Sequence, residues 1–211
     1  MPHSFERGAI SRGYRLVAGV DEAGRGPLAG PVVAGAVILP EGFLIEGLAD
    51  SKTLSQPQRE RLYALVMENA VAVGVGMADP AQIDRVNILQ ATLLAMRGAV
   101  AAMAPAPDFL LIDGLNTIDW PGPQQAIVKG DALSHSISAA SVVAKVTRDR
   151  IMEKLAAEYP MYGFAQHKGY GSREHREAIK KHGPCPAHRM TFKGVREFIQ
   201  GGAPAQMELL S

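Results

Sequence analysis

The chain is poor in several features that would assign it to a class. Its single cysteine, Cys185, cannot form an internal disulfide and has no matched His and Asp pattern of a nucleophile, so we interpret it as an incidental thiol. The first twenty residues lack an apolar core followed by a small-residue cleavage site, which predicts a reducing, cytoplasmic setting. Gly, Pro or charge interrupts every apolar run before about eighteen residues, which excludes a membrane span.

Several functional signatures are missing as well. The chain has no Gly-x-Ser-x-Gly element of a serine hydrolase, and its glycine-rich segment at 24–27 lacks the Gly-Lys-Ser/Thr ending of a nucleotide-binding loop. It also has no internal repeat, low-complexity block or long linker. The remaining features are 211 residues with 47% hydrophobic and 20% charged side chains. This ordinary composition favours one domain with a sizeable core over a disordered or fibrous chain.

The formal net charge of +1 hides an uneven distribution. Residues 145–197 hold twelve Lys and Arg against six Asp and Glu, a net +6, whereas the rest of the chain holds ten against fifteen, a net −5. A protein that binds cations with one region and phosphates with another would have this distribution. A solvated helical surface with surplus lysines would have it too, and charge alone favours that simpler interpretation.

The apolar pattern predicts strands that alternate with helices. Short apolar runs indicate strands, and helical spacing behind capping residues indicates helices. The predicted strands lie at 16–20, 31–39, 71–76, 109–112 and 126–128. The predicted helices run from 55 to about 69, from 87, over a long stretch from 137, and near 173–182 and 191–200. Together they predict an α/β domain with a mixed central sheet flanked by helices, and a frayed tail over 202–211.

Four carboxylates stand where predicted strands end. Asp21 and Glu22 follow the first strand, Asp113 the fourth and Asp131 the fifth. Ends of adjacent strands meet, so these side chains would repel one another unless they bind protons, pair with Lys or Arg, or hold a divalent cation. An all-oxygen set suits Mg²⁺ or Mn²⁺ better than Zn²⁺. A turn or cap explains each aspartate better on its own, but four on one sheet favour a metal site.

Two glycine-rich loops could meet a ligand beside these carboxylates. Gly24-Arg25-Gly26 would let the main chain approach a ligand closely, although a tight turn is the better explanation of this loop alone. Tyr170 lies between two glycines near cationic residues, which suits the stacking of its ring on a sugar or base. A loop anchor is the commoner role of such a tyrosine.

Other polar residues are open to two interpretations. The long predicted helix carries four of them on one face, which could present hydroxyls and an ammonium to phosphates or could face water. These residues are Ser138, Ser141, Lys145 and Arg148. The clusters Asp50-Ser51-Lys52 and His188-Arg189 could each contact phosphate, but in isolation they are better explained as surface.

Five of these motifs occur in the order found in bacterial ribonuclease HII. They are Asp21-Glu22-Ala23-Gly24-Arg25-Gly26, Asp113-Gly114, Lys129-Gly130-Asp131, Ile137-Ser138-Ala139-Ala140-Ser141 through Lys145, and His167 to Ser172. They span about Val17 to Phe192, nearly the whole chain, and their joint occurrence is far more specific than any one of them. The chain therefore resembles bacterial ribonuclease HII.

The resemblance implies a fold, an activity and a cofactor. The fold is ribonuclease H-like, in a single domain over 1–211 with 160–200 as a helical C-terminal extension that contributes to substrate binding. The activity is endonucleolytic hydrolysis of RNA in RNA–DNA hybrids, with incision 5′ of single ribonucleotides in duplex DNA, leaving 3′-hydroxyl and 5′-phosphate ends. The cofactor is Mg²⁺ or Mn²⁺, two ions per site. No membrane or obligate protein partner is expected, and the chain is expected to be a monomer.

The resemblance also implies roles for individual residues. The four acidic metal-site positions fall on Asp21, Glu22, Asp113 and Asp131. The loop that touches the ribose 2′-hydroxyl at the RNA-to-DNA junction falls on Gly24, Arg25 and Gly26. Tyr170 matches the tyrosine that packs against the neighbouring sugar and senses that hydroxyl. The residues expected to line the site or contact phosphate are Lys52, Ser138, Ser141 and Lys145.

Related interpretations compete with this one. Ribonuclease HIII also has a Gly-Arg-Gly loop but carries a long N-terminal domain, whereas only twenty residues precede Asp21 here, which favours ribonuclease HII. Residues 206–210 lack the paired aromatics of a sliding-clamp peptide, so no clamp tether is expected. A non-catalytic nucleic-acid-binding module would explain the basic segment but not the carboxylates. A metal-dependent phosphatase of small esters would explain neither the basic segment nor the Tyr170 loop.

Overall fold

The structure is a computed structural model that describes residues 4–48 and 55–199. Its elements in chain order are α1 (Ser4–Ile10), β1 (Val17–Ala23), β2 (Val32–Ile38), α2 (Gln56–Asn69), β3 (Ala72–Ala78), α3 (Pro80–Val86), α4 (Ile88–Ala101), β4 (Phe109–Asp113), β5 (Gln124–Ile127), α5 (Gly130–Leu133), α6 (His135–Glu158), α7 (Phe164–His167) and α8 (Arg173–His182). Short 3₁₀ turns lie at Pro160–Tyr162 and Arg196–Phe198.

The strands form a mixed sheet in the order β3-β2-β1-β4-β5, as the sequence predicts. The central strand β1 runs antiparallel to β2 and parallel to β4. Val20 of β1 is paired with Ile112 of β4, so the next residue of each strand, Asp21 and Asp113, lies at the same edge of the sheet. The topology therefore brings together two acidic residues that are far apart in the sequence.

Helices cover both faces of the sheet. The long helix α6 packs on β1 and β2, and α4 packs on β2 and β3 across the sheet. Glycines let α6 approach closely, because a Cβ on Gly19 would overlap the backbone of Ser136 and Ile137, and one on Gly35 would overlap the Ala140 carbonyl. The start of α6 is thereby held directly against β1, which carries Asp21, and its middle against β2.

Residues 160–199 form a C-terminal segment with its own apolar cluster. Phe164 of α7 and Ile179 of α8 pack with Leu28, in the β1–β2 connection, and with Met152 of α6. The segment is therefore tied both to the long helix and to the loop that follows β1. Among the residues that the structure describes, no helix is both long and apolar enough to cross a membrane.

Two predicted helix starts are confirmed in detail. The side chain of Gln58 accepts a hydrogen bond from the Ser55 N–H at 2.9 Å, which is the reciprocal bond of a capping box at α2. At α4 the Asn87 side chain accepts from the Gln90 N–H at 3.1 Å. The predicted short helix over 191–200 is wrong, because Gly194 has a φ of 97° and only a 3₁₀ turn forms after it.

The predicted strand ends need two corrections. Asp21 and Glu22 lie inside β1 rather than after it, since the strand keeps its pairing with β2 as far as Ala23. The fifth strand ends at Ile127, and Asp131 lies within the short helix α5 rather than directly after the strand. A left-handed residue, Lys129 at φ 57°, makes the turn between strand and helix.

Candidate active site

The centre of the candidate site is a buried carboxylate on β1. Asp21 is only 3% exposed, and its Oδ1 accepts a hydrogen bond from the Glu22 N–H at 2.7 Å. Burial raises the pKa of Asp21 well above its ordinary value, and the negative charges of Glu22 and Asp113 raise it further. A hydrogen bond from Ser141 of α6 opposes this shift in part. The predicted convergence of Asp21, Glu22 and Asp113 is therefore present in the structure.

Glu22 differs from Asp21 because a cation lies beside it. Burial raises its pKa and Asp113 raises it further, whereas the Arg25 guanidinium, 3.3 Å from Glu22 Oε1, lowers it. The Arg25 side chain is half exposed. Because solvent reaches the Arg25 side of this ion pair, the pair contributes only modestly to stability. The ion pair instead orients the Gly24-Arg25-Gly26 loop towards the carboxylates.

Asp131 reaches the same edge of the sheet through α5. The N–H of Gly130, the first residue of α5, donates to Asp113 Oδ1 at 2.6 Å. Asp131 follows Gly130 directly and is partly buried. Asp113 thus connects the end of β4 to the helix that carries the fourth acidic residue. Within residues 4–48 and 55–199, no three acidic, imidazole or thiol side chains are already arranged as ligands of one ion.

A cavity of about 290 Å³ opens beside these carboxylates. Its lining includes Glu22, Gly24, Ser141, Lys145 and Tyr170. Lys145 is held by an ion pair with the buried Asp149 at 2.6 Å. The Tyr170 ring is half exposed, and a Cβ at Gly26 would lie 3.9 Å from its Cε1 atom. The Gly24–Gly26 loop and Tyr170, which are about 145 residues apart, therefore meet at one cavity.

The helix face predicted to meet phosphate or water is largely buried. Ser141 lies beside Asp21 at the cavity, but Ser138 is 1% exposed and its hydroxyl donates to the Leu48 carbonyl at 2.6 Å. Ser138 therefore fixes the segment before residue 49, and its hydroxyl is not presented to the cavity. Lys52, with its neighbours Asp50 and Ser51, lies outside the described residues.

Of three groups of residues near the site, the sequence does not predict Arg59, and it predicts neither the burial of Arg148 nor that of His188-Arg189. Arg59 of α2 lines the cavity, and no local pattern distinguishes it from other helix-surface arginines. Arg148 is 1% exposed and donates to the carbonyls of Pro31, Lys168 and Ala29. The expectation that His188-Arg189 is surface is wrong, because both residues are buried. Only the burial of the surrounding apolar cluster reveals them.

A family model matches the part of the chain that carries these residues. The family model described as Ribonuclease HII matches residues 18–195, which include all four acidic residues and Tyr170. The chain belongs to the ribonuclease HII family. It is therefore an endoribonuclease that acts on the RNA strand of RNA–DNA hybrids. Membership in this family is inconsistent with the two competing interpretations, a non-catalytic binding module and a phosphatase of small esters.

Curated relatives match nearly the whole chain. Ribonuclease HII of Geobacter metallireducens is 59% identical over 196 residues, which are 93% of this chain and 92% of that protein. Ribonuclease HII of Acetivibrio thermocellus is 58% identical over 195 residues, covering 92% of this chain and 75% of that protein. Identity at this level extends the resemblance well beyond the five motifs.

Solved structures agree on the ribonuclease H-like fold. Ribonuclease H2 of Pyrococcus horikoshii has a TM-score of 0.74 at 30% identity and covers 87% of this chain and 97% of its own. Ribonuclease HII of Archaeoglobus fulgidus, solved in a complex with PCNA, has a TM-score of 0.71 at 25% identity over 85% and 96% of the two chains. Bst-RNase HIII, solved with Mn²⁺, has a TM-score of 0.68 at 20% identity over 94% and 73%, which supports the fold alone.

Proposed function

We propose that this ribonuclease incises duplex DNA 5′ of a single embedded ribonucleotide as well as hydrolysing long hybrids, with two divalent cations bound by Asp21, Glu22, Asp113 and Asp131. The observation that carries the proposal is the position of Asp21, buried in the central strand beside two further carboxylates. Like charges gathered in a largely buried site repel one another unless they bind protons or are balanced by a compensating charge. A bound cation supplies that charge.

The donor set suits Mg²⁺ or Mn²⁺. All four groups are carboxylates, and hard cations of this size prefer oxygen ligands. The raised pKa values of Asp21 and Glu22 measure the unfavourable energy that cation binding would relieve. Because no three of the described side chains already surround one point, binding requires side-chain rotation towards the ion.

Two divalent cations held by these carboxylates would supply activation of a water and stabilisation of the leaving oxygen. The new bond joins the water oxygen to phosphorus, and the bond from phosphorus to the 3′-oxygen breaks, which leaves a 3′-hydroxyl and a 5′-phosphate. The carboxylates hold charge in place and need not accept a proton, so no histidine is required among them. Lys145, oriented by Asp149, faces the cavity where a substrate phosphate would bind.

Selectivity for RNA requires a group that reads the ribose. Attraction between cationic side chains and phosphate does not distinguish RNA from DNA, whereas the 2′-hydroxyl does. Gly24 and Tyr170 line the cavity beside the carboxylates, and Gly26 lies next to the Tyr170 ring. We assign the reading of the 2′-hydroxyl to these two segments. The backbone of Gly26 approaches the sugar, and Tyr170 packs against it.

The incision test uses a duplex with one ribonucleotide and a long hybrid, each with Mg²⁺, Mn²⁺ or EDTA. Asp21→Asn and Asp113→Asn should abolish cleavage of both substrates, because each removes charge and little volume. Asp119→Asn is the matched control, since that side chain is 90% exposed and pairs with Arg97 away from the cavity. Full activity of Asp21→Asn with Mg²⁺, or cleavage in EDTA, would contradict the metal-site assignment.

Variants of Tyr170 test how the ribose is read. Tyr170→Ala should reduce cleavage at a single ribonucleotide more than cleavage of long hybrids, because a lone junction offers one hydroxyl to recognise. Tyr170→Phe retains the ring and removes only the phenolic hydroxyl, so it separates packing from hydrogen bonding. Equal losses on the two substrates in Tyr170→Ala would count against a junction-sensing role.

A further inference from the structure

A buried turn of the C-terminal segment contacts both segments to which the proposed function assigns ribose reading. This turn, residues 185–189, closes with a hydrogen bond from the His188 N–H to the Cys185 carbonyl at 2.9 Å, and we call it the anchor turn. Its main chain pairs with the β1–β2 connection, because the Gly30 N–H donates to the Ala187 carbonyl and the Arg189 N–H donates to the Leu28 carbonyl. The anchor turn is therefore joined to the chain just after the Gly24–Gly26 loop.

Arg189 extends this connection into the loop itself. Its side chain is fully buried, and its guanidinium donates to the carbonyls of Gly24, Arg25 and Gly30, with distances of 2.8 Å to Arg25 and 3.0 Å from Nε to Gly30. The guanidinium also lies over the Phe192 ring, 5.0 Å from its centroid. Three carbonyls on one planar cation fix the course of the loop.

A chain of two imidazoles leads from the anchor turn to Tyr170. The Cys185 N–H donates to His188 Nδ1 at 3.0 Å, so the proton of this ring is on Nε2, which lies 3.0 Å from His175 Nε2. His175 must accept there, which places its own proton on Nδ1, 2.8 Å from the Tyr170 carbonyl. Each link requires the tautomer set by the previous one.

The longer contacts around His188 fit this assignment. His188 Nδ1 also lies 3.3 Å from the Cys185 carbonyl, which would need the opposite tautomer, but the main-chain N–H at 3.0 Å is a donor that cannot reverse. Cys185 Sγ lies 3.2 Å from the same nitrogen and can donate to it as a thiol. Burial raises the pKa of that thiol to about 11, which keeps its proton in place.

The surroundings keep both imidazoles neutral. His175 and His188 are at most 1% exposed, and burial lowers the pKa of each to about 4. The other titratable or charged groups that face the pair are His167, stacked on His175 at 4.4 Å, Tyr162, 4.7 Å from His188, the Cys185 thiol and Arg176. None of these carries a negative charge that would favour an imidazolium, because the pKa values of Tyr162 and Cys185 are raised to about 12 and about 11.

We propose that the anchor turn positions both ribose-reading segments, with Arg189 fixing the Gly24–Gly26 loop and His188, through His175, fixing the main chain at Tyr170. This inference rests on the proposed function, in which those segments read the 2′-hydroxyl. Neither Arg189 nor the imidazoles line the cavity, so they are positioning residues. A displacement of about 1 Å in a reading group can lower a rate about 100-fold. Loss of the anchor should therefore impair ribose selectivity more than hydrolysis.

The kinetic test compares kcat/KM on a single embedded ribonucleotide with kcat/KM on a long hybrid. His188→Leu, which breaks the imidazole chain, should lower this ratio about 10-fold. His188→Gln, whose amide can still donate to His175, should keep the ratio close to that of the wild type. Arg189→Lys, whose compact ammonium lacks the planar fork that spans these three carbonyls, should lower the ratio similarly. Leu62→Ala, in the apolar cluster between α2 and α6, is the control for lost stability alone and should leave the ratio unchanged.

Tyr170→Ala, measured in the same assay, distinguishes failure of the ribose-reading role from failure of the anchor inference. If it leaves the ratio unchanged, the ribose-reading role fails and the anchor has nothing to position. If it lowers the ratio while His188→Leu and Arg189→Lys do not, the reading role stands and the anchor inference is overturned. A ratio lowered equally by Leu62→Ala would also overturn it, because general destabilisation would then explain the effect.

A second measurement does not depend on activity or on a variant that must fold. The full chain, labelled with ¹⁵N in its histidine rings, should show at pH 7 a neutral Nε2–H tautomer for His188 and a neutral Nδ1–H tautomer for His175. Both rings should remain neutral on titration to pH 5, while exposed histidines become protonated. The reverse tautomers, or an imidazolium at either position at pH 7, would overturn the imidazole chain.

Discussion

Asp21→Asn is expected to stabilise the metal-free protein while it abolishes cleavage. Asp21 is 3% exposed, and both burial and the charges of Glu22 and Asp113 raise its pKa. A carboxyl whose pKa is higher in the folded state than in the unfolded state destabilises the fold at high pH. The destabilisation develops as pH rises from the unfolded pKa to the folded pKa, and it is complete above the folded pKa. Asn removes the charge, and its Oδ1 can still accept from the Glu22 N–H.

The size of the effect follows from the burial of one uncompensated charge. Such a charge costs several kcal/mol before relaxation and Ser141 donates a partly compensating hydrogen bond, so we expect a gain of about 2 kcal/mol. For a chain of this size each kcal/mol shifts Tm by about 2–4 °C, which predicts a rise of about 4–8 °C. The measurement is thermal unfolding of the wild type and Asp21→Asn at pH 7.5 in EDTA, with Asp119→Asn as the exposed control.

Two outcomes would refute different parts of this reasoning. If Asp21→Asn unfolds at or below the temperature of the wild type, the buried charge does not destabilise the metal-free fold as argued. If the variant is stabilised but still cleaves with Mg²⁺, the electrostatic argument holds and the role of Asp21 in catalysis is wrong. A rise in Asp119→Asn as large as that in Asp21→Asn would show that net charge, rather than burial, is responsible.

Three further changes test other parts of the structure. Mg²⁺ or Mn²⁺ at about 100 times its dissociation constant should stabilise the wild type by about 2.7 kcal/mol in thermal unfolding, and Asp21→Asn much less. Gly19→Ala should destabilise the protein by about 3 kcal/mol in urea unfolding, because its Cβ would overlap the start of α6, whereas Gly8→Ala, which meets nothing within 4 Å, should not. Burial lowers the pKa of His188 from its ordinary value of 6.5 to about 4, so this histidine destabilises the fold as pH falls below 6.5. The expected loss of stability is about 2 kcal/mol between pH 7 and pH 5. Urea unfolding of His188→Gln should therefore show a weaker loss over this interval than the wild type.

The sequence predicts the parts of the fold that depend on local pattern. Capping residues and helical spacing predict α2 and α4, and apolar runs predict the five strands of a mixed sheet. The convergence of Asp21 with Asp113 is predictable as well, because ends of adjacent strands meet at one edge. The motifs that resemble ribonuclease HII identify the family, which the comparison with known proteins bears out.

The sequence does not predict features that depend on distant main-chain groups. His188 and Arg189 look like surface residues because polar and charged side chains are rarely buried without partners. The partners of Arg189 are far along the chain, since it bonds carbonyls 159 to 165 residues away, and His188 bonds an imidazole 13 residues away. The position of Asp131 within α5 is also not predicted. The turn before α5 needs a left-handed residue, Lys129, and apolar periodicity does not reveal such a turn.

Helix α6 joins the hydrolytic and ribose-reading parts of the site. Ser141, Lys145 and Arg148 recur every three or four residues, so they lie on one face of the helix. The first bonds Asp21, the second lines the cavity and the third bonds carbonyls beside both reading segments. The carboxylates are fixed by the sheet, however, whereas the reading segments are fixed by arginine and imidazole contacts from the C-terminal segment. Changes in the anchor turn should therefore alter substrate choice and leave the affinity for Mg²⁺ unaffected, which calorimetric titration of His188→Leu with Mg²⁺ would test directly.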